Sequence, residues 1–405
     1  MVFASHLIAC SAAGQTNLPA PATDYPAADG PGEVLQAGEP VAAAVITAQI
    51  KKGLEKRAAE RKKAGNPRPY IRGAHPKAHG CLKANVQIEP TLPSALSVGV
   101  YQPGKKYCSW VRFLNSNENP DRPDTDKDGR GMAIKLLNID GKTLLERDSS
   151  AATQDFIMIS HPVFFINSVD DYVGVIRKVN SDSFLDKLLL PFSLGIRGTW
   201  NAYQITSLKN RNPLAARYWS MVPYQLGLGA NAVATKFMAQ PCGYSGWTGQ
   251  EKEAISDPEI PSGAGPDFLR QALKDALDKE APCMELLVQV RKPGMSVEDA
   301  KTEWVSDPSW WDKLVGNEVA PFVKIATLRF PENQNFDTPE QNLACEDMSY
   351  SPWHALPEHK PLGVLNRLRK VIYRDISSFR HSNNLVDPME PPAFQLDQCG
   401  AGEWQ

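Results

Sequence analysis

No apolar run in the 405-residue sequence approaches the roughly 18 residues needed to span a bilayer, so no segment reads as a transmembrane helix. Neither sign of charge dominates: 44 Lys and Arg stand against 46 Asp and Glu, and the net charge of -2 gives no electrostatic case for a nucleic-acid partner. No internal repeat is present, which excludes solenoids and propellers. Histidine is scarce, with seven in the chain, yet two of them and a cysteine fall within ten positions, "RGAHPKAHGC" at 72–81. A zinc site on His75, His79 and Cys81 is disfavoured, because Pro76 and Gly80 interrupt a helical His-x-x-x-His platform and no second ligand pair of standard spacing exists.

The apolar fraction of 42% and the length permit one large core or two ordinary domains. Residues 1–40 read as a signal remnant followed by a flexible tether, since Ser11 to Pro40 is rich in Ala, Pro, Gly and Asp and has no apolar period. "LIAC" at Leu7 to Cys10 resembles the lipidation signal of exported lipoproteins, whose mature chain begins at the cysteine. Only nine residues precede it, without a basic or a full-length apolar region. Two readings follow: a lipid anchor at Cys10 with a periplasmic or membrane-anchored protein, or a chance match in a cytoplasmic one. The six other cysteines, Cys81, Cys108, Cys242, Cys283, Cys345 and Cys399, permit disulfides in an oxidising compartment or remain buried thiols.

Residues 41–405 read as one domain. Val41 to Lys63 has a helical pattern ended by "GNPRP". "LKANVQIE" then alternates without a fault, Leu82, Ala84, Val86 and Ile88 on one face and Lys83, Asn85, Gln87 and Glu89 on the other. Strand-like runs recur at "YCSWVRF", "GMAIKLLNI", "QDFIMI", "ATKFMAQ", "ELLVQV" and "FVKIATLRF", with helical patterns at "PDFLRQALKDALDKE", "VEDAKTEW" and from Pro361 onward. Many strands without regular βαβ alternation predict an α+β architecture, a large antiparallel sheet or barrel with added helices.

The last helix, "PLGVLNRLRKVIYRDISSFRHSNN", carries an unusual stripe. At about 100° per residue, Arg369, Tyr373 and Arg380 lie within roughly 40° of one another. Fixed positive charge draws a phenol below its usual value of about 10, and a tyrosinate is a hard oxygen ligand suited to ferric iron. The plain alternative is a polar, solvated helix face.

Arg-x-x-x-Tyr followed seven residues later by Arg resembles the proximal helix of haem catalases, in which a tyrosine ligates the iron. The surrounding "CEDMSYSPWHALPEHKPLGVLNRLRKVIY" is closer still to the short catalase-related proteins of bacteria and fungi, relatives of the catalase-like domain of coral allene oxide synthase. The resemblance implies that Tyr373 is the metal ligand, that Arg369 bonds its phenolate and that Arg380 meets a haem propionate. "RGAHPKAHG" is similar to the distal-histidine motif, which makes His75 the distal histidine and Arg72 a propionate contact. "VRFLNSNENPDRPDTDKDGRGMAIK" is similar to the next motif and adds Arg112 as a propionate contact, while "QDFIMISHPVFF" places Phe164 over the haem. Four motifs in family order cover about residues 40 to 390. They imply a catalase-like antiparallel β-barrel with surrounding helices and haem b in the barrel.

The chemistry needs these residue types. A hydroperoxide must lose a proton from one oxygen and gain one on the other for its O–O bond to break, and a neutral imidazole at His75 can act as base and then acid. Arginines at 72, 112 and 380 would neutralise propionates that are otherwise costly to bury. Departures from the catalase pattern bear on activity. Ile159 and Ser160 stand where catalases have two asparagines, with the Ser160 hydroxyl the available substitute, and Leu114 stands where catalases have the serine that orients the distal imidazole, with Asn115 next along. The expectation is a haem-dependent enzyme acting on hydrogen peroxide or organic hydroperoxides in the response to oxidative stress, with peroxidase-type turnover, an electron donor not identified by the sequence, and a monomeric or homodimeric state. One alternative is a lipid-hydroperoxide rearranging or cleaving enzyme, to which the apolar Ile159 and Leu114 point. Another, from a different class, is a non-catalytic haem-binding protein, against which the joint presence of His75 and Tyr373 argues. His79 is expected to bond locally or on the propionate side, His161 either to lie near the haem or to pack structurally, and His354, His359 and His381 to be structural.

Overall fold

Alternation of apolar and polar residues builds the centre of the molecule. A computed structural model describes residues 19–145, 153–166, 168–179, 183, 194–243, 260–279, 281–291 and 321–386. Cys10, Cys399 and the helix expected at "VEDAKTEW" lie outside them. The strands are β1 (Ala78–Ile88), β2 (Lys106–Asn115), β3 (Arg130–Leu136), β4 (Gln154–Ile159), β5 (Tyr218–Trp219), β6 (Tyr224–Leu226), β7 (Val233–Pro241), β8 (Cys283–Val290) and β9 (Phe322–Arg329). All pair antiparallel in the order β5-β4-β3-β2-β1-β9-β8-β7-β6. Strand β5 pairs with β4 through Ile159 and Trp219, and with β7 through Trp219 and Met238, which closes the sheet into an eight-position barrel. Closure removes the free edge of β5, while β6 pairs with β7 on one side and meets Pro361 through a bridge at Tyr224 on the other.

Leu82, Ala84, Val86 and Ile88 of β1 enter the main core with Phe113, Phe156, Tyr218, Phe237 and Phe330, as the alternation predicts. The first and last strands are neighbours, with Asn85 to Ile88 opposite Ala326 to Arg329. A bulge between Ala78 and Gly80 marks the start of β1. It re-aims the chain that leads out of "RGAHPK".

Six helices among the described residues surround the barrel: α1 (Glu39–Lys63), α2 (Val169–Val179), α3 (Gly195–Thr206), α4 (Phe268–Leu277), α5 (Pro339–Asp347) and α6 (Val364–Asn384). Helices α1 and α6 pack together, and α1 buries Ala42, Ala43, Ile46, Leu54 and Ala58. Helix α6 starts later than Pro361 predicts. Gly363 at φ 87° breaks the helical path, and Pro361 instead forms a β-bridge with Tyr224.

Two features differ from the sequence expectation or choose between its alternatives. Cys81–Cys345 and Cys242–Cys283 are disulfides, and Cys108 is also disulfide-bonded, so these cysteines follow the disulfide reading. Residues 19–40, expected to be a tether, make specific contacts with the folded body. Glu33 and Glu39 of this arm bury their carboxylates against Arg367 of α6. Composition gave no sign of these contacts, because the ion pairs join the segment to a helix more than 320 residues further along the chain.

Candidate active site

Four separate stretches of chain meet beside the barrel. His75 lies between α1 and the bulged start of β1, with its backbone in the left-handed region at φ 53°. Its Nδ1 is 3.0 Å from the carbonyl oxygen of Asn115. A carbonyl only accepts, so Nδ1 carries the proton and Nε2 presents a lone pair. Burial depresses the imidazole pKa to about 4, the Asn115 carbonyl opposes that fall, and the guanidinium groups of Arg72, Arg369 and Arg112 push it further down. The ring is therefore a neutral base near pH 7. The serine that Leu114 replaces is thus not needed for orientation: a main-chain oxygen one residue later does that work.

Asn115 is itself held. Its Oδ1 accepts from Arg130, and lies 2.9 Å from His79 Nε2, while its Nδ2 donates to Asp124 Oδ1 at 2.8 Å. Lys77 closes the group with a 3.0 Å contact to the same Asp124 oxygen. Thus His79 is a local support, as expected. Cys81, being in a disulfide, has no thiolate to offer a metal. Ser160 lies in this support as well: its buried Oγ accepts the Arg130 backbone N–H at 2.8 Å, and no described contact joins it to His75.

Opposite these residues, Tyr373 and Arg369 project from α6. Burial works against the Arg369 charge, yet the phenols of Tyr373, Tyr224 and Tyr172 outweigh it and hold the guanidinium pKa above its usual value. Its guanidinium also sits 5.6 Å from the centre of the Phe164 ring. Arg369 lies within electrostatic reach of both Tyr373 and His75, which places the two stretches near one another. Phe164 stacks on Phe165 at 4.6 Å, and both pack on Ile159, Ile205 and Met221. This apolar wall occupies the region where the catalase pattern has asparagines.

The third part is cationic. Arg72, Arg112 and Arg380 converge on the C-terminal end of α5, where aligned carbonyls favour positive charge. Arg112 donates to the carbonyls of Cys345 and Met348 at 3.0 and 3.1 Å, Arg380 donates to that of Glu346 at 2.7 Å, and Arg72 pairs with the Glu346 carboxylate at 3.2 Å. Arg68 pairs with Asp347. Burial, then Arg72, lower the Arg112 pKa to about 9, and burial with Arg72 and Arg68 lowers that of Arg380 to about 10, with Glu346 opposing. Four guanidinium groups face the two carboxylates Glu346 and Asp347, an excess of two positive charges. Buried Nε and NH1 of Arg72 and Nε of Arg112 find no hydrogen-bond partner among the described residues. Such donors suit an anionic partner.

The motifs therefore bring His75, Arg72, Arg112, Phe164, Arg369, Tyr373 and Arg380 to one region. Sequence reasoning missed Tyr172, Tyr224, Glu346 and Asp347. The last two stand in "CEDM", whose paired acids were a usable signal; the two tyrosines carried none. His354 bonds Asp155 at 2.8 Å beside buried Lys135, and His359 accepts the Val100 N–H at 3.0 Å, so both are structural as expected.

This chain has the catalase fold. It is similar to the crystal structure of a fungal catalase, with a TM-score of 0.58 and 18% identity over 83% of this chain and 64% of the catalase. A second match is catalase A from Saccharomyces cerevisiae, with a TM-score of 0.53 and 18% identity over 82% of this chain and 66% of that one. The chain thus spans just under two thirds of the length of each. No family model and no curated protein sequence matches it.

Proposed function

We propose that the protein is a haem-dependent enzyme acting on hydroperoxides, with Tyr373 as the iron ligand and His75 as the acid–base residue. The observation that carries this reading is the arginine cluster: a surplus of guanidinium charge and buried, unpartnered guanidinium atoms stand beside a Tyr–Arg pair and a neutral histidine. A group that is flat, apolar at its centre and doubly anionic at one edge satisfies all of these residues at once, and haem b is such a group.

Arg72, Arg112 and Arg380 would take its two carboxylates, Phe164 would pack on its face, and Arg369 would set a fixed positive charge beside Tyr373. The bound haem supplies a ferric centre that polarises a peroxide and furnishes electrons for breaking its O–O bond. His75 Nε2 accepts the hydroperoxide proton, and the same N–H then delivers it to the departing oxygen, which leaves as water or an alcohol. The Nδ1 bond to Asn115 fixes the tautomer throughout. The apolar wall of Ile159, Phe164, Phe165, Ile205 and Met221 favours organic hydroperoxides over hydrogen peroxide, which it cannot hydrogen-bond. Turnover of the peroxidase type follows, with lipid-hydroperoxide rearrangement as the second reading carried by the same wall.

The test is the optical spectrum of the purified ferric protein with and without Tyr373→Phe. A high-spin spectrum of the tyrosinate type that is lost, together with most bound haem, in the variant supports the assignment. An unchanged spectrum and haem content in Tyr373→Phe would sink it.

A further inference from the structure

Helix α6 presents a second stripe of cations, and the function above makes no use of it. With Tyr373 taken as zero, Arg369 and Arg380 lie within roughly 40°, whereas Arg367 and Arg374 lie about 100 to 120° round the helix. Both of the latter meet the N-terminal arm. Arg367 is fully buried with Glu33 and Glu39: Nε and NH2 donate to the Glu39 carboxylate at 2.8 and 2.7 Å, and NH1 donates to Glu33 Oε1 at 2.6 Å. Tyr25 donates to the same Glu39 carboxylate at 2.7 Å, and burial followed by that carboxylate holds its phenol well above the usual range. Arg374, next to Tyr373, pairs with Asp24.

The arm also grips the start of the helix. Gly363 N–H donates to Glu33 Oε1 at 2.8 Å, which puts a carboxylate at the positive end of α6. Lys360 pairs with Asp29 and Glu33. Gly30 sits so close to Leu362 that a Cβ there would lie 2.3 Å from its Cδ2. The arm thus touches α6 and its lead-in at 360, 362, 363, 367 and 374, spanning two helical turns around the Arg369 position.

We infer that the arm from Asp24 to Gly38, together with Glu39 in the first turn of α1, is a positioning clamp, whose acidic residues fix the rotation and seating of α6 and thereby aim Tyr373 and Arg369 into the site. Glu33, Glu39 and Arg367 are its positioning residues. A helix held only by its apolar face can slide or rotate among near-equivalent packings; a buried, fully bonded ion triad admits one register. The clamp's effect on an iron ligand rests on the function proposed above, but the seating of α6 does not.

Hydrogen–deuterium exchange of the full-length, haem-free protein tests the seating. In Glu33→Gln/Glu39→Gln, amides of residues 364–384 are expected to exchange on the order of a hundredfold faster, with those of β1 to β3 unchanged. Unchanged exchange in α6 would overturn the inference. A variant with Glu33→Gln, Glu39→Met and Arg367→Met replaces the triad by groups of similar volume, and keeps the test open should the double variant fail to fold. Faster α6 exchange in this folded variant, and on haem loading a mixture of proximal-ligand signals by electron paramagnetic resonance where the wild type gives one, supports the clamp. Wild-type exchange and a single wild-type signal refute it. Failure of the haem reading is separately visible, since Tyr373→Phe would then leave the spectrum unchanged while the exchange result stands.

Discussion

At His75 the backbone is left-handed, a conformation that histidine tolerates better than branched residues but that still costs about 1 kcal/mol. Pro76 follows it, and the Asn115 carbonyl holds the ring, so the strain persists at the position where the chemistry is placed. His75→Gln is expected to keep haem content while slowing the reaction of the ferric protein with peroxide by about 10²- to 10⁴-fold, read by stopped-flow absorbance. The wild-type rate should hold from neutral pH downward and fall as the pH drops through about 4, where the imidazole takes up a proton and ceases to be a base. A rate falling near 6.5 instead would contradict the environment described. Where a side chain would carry the proposed role, as at His75, Tyr373 and Arg72, residue type was enough to raise the candidate. Asn115 entered the sequence analysis only as the neighbour of a missing serine, because main-chain carbonyl chemistry leaves no trace in residue type.

Among the elements, strands were the most legible: "LKANVQIE" alternates over its full length, and "QDFIMI" and "FVKIATLRF" are short runs rich in Ile, Val, Thr and Phe. Strands β5 and β6, of two and three residues, are too short to show a period. Helix α5 was also missed, because its buried residues are Cys345 and Asp347 and it has no apolar stripe. Yet this helix gathers the arginines. Its N-cap Thr338 accepts the Gln341 N–H at 3.1 Å, and Thr338→Ala is expected to lower unfolding free energy by about 1 kcal/mol, measured by urea titration. The arginine cluster should respond to the same loosening with faster loss of haem to an apo-protein acceptor. An unchanged loss rate would show that the Cys81–Cys345 bond alone fixes the far end of α5.

For the molecule as a whole, four histidines share one electrostatic situation. Burial lowers the pKa of His75, His79, His161 and His359 to about 4 from 6.5, with charged neighbours modifying the first two. The unfolded chain therefore binds protons between these values that the folded chain refuses, and stability that is complete above pH 6.5 is lost as the pH falls towards 4. Each histidine contributes up to a few kcal/mol, so the thermal midpoint should drop steeply across that window and be nearly flat from pH 7 to 8. A midpoint that is level between pH 6.5 and 4.5 would contradict the burial of these rings. The overall architecture was readable from alternating strands and ordered motifs, whereas the docked arm was not: Glu33 and Glu39 look like ordinary surface acids until Arg367, more than 320 residues later, is brought to them.

That separation along the chain sets an order of events during synthesis. The arm, His75, Arg72 and Arg112 all emerge more than 250 residues before Arg369, Tyr373 and Arg380. At about 5 to 20 residues per second, the early half waits on the order of 15 to 60 seconds for its partner. During that interval Glu33 and Glu39 have no Arg367, Cys81 has no Cys345, and the first strand has no last strand to join. The pocket is complete only when α6 has joined the earlier strands, so its two halves depend on a contact made late along the chain.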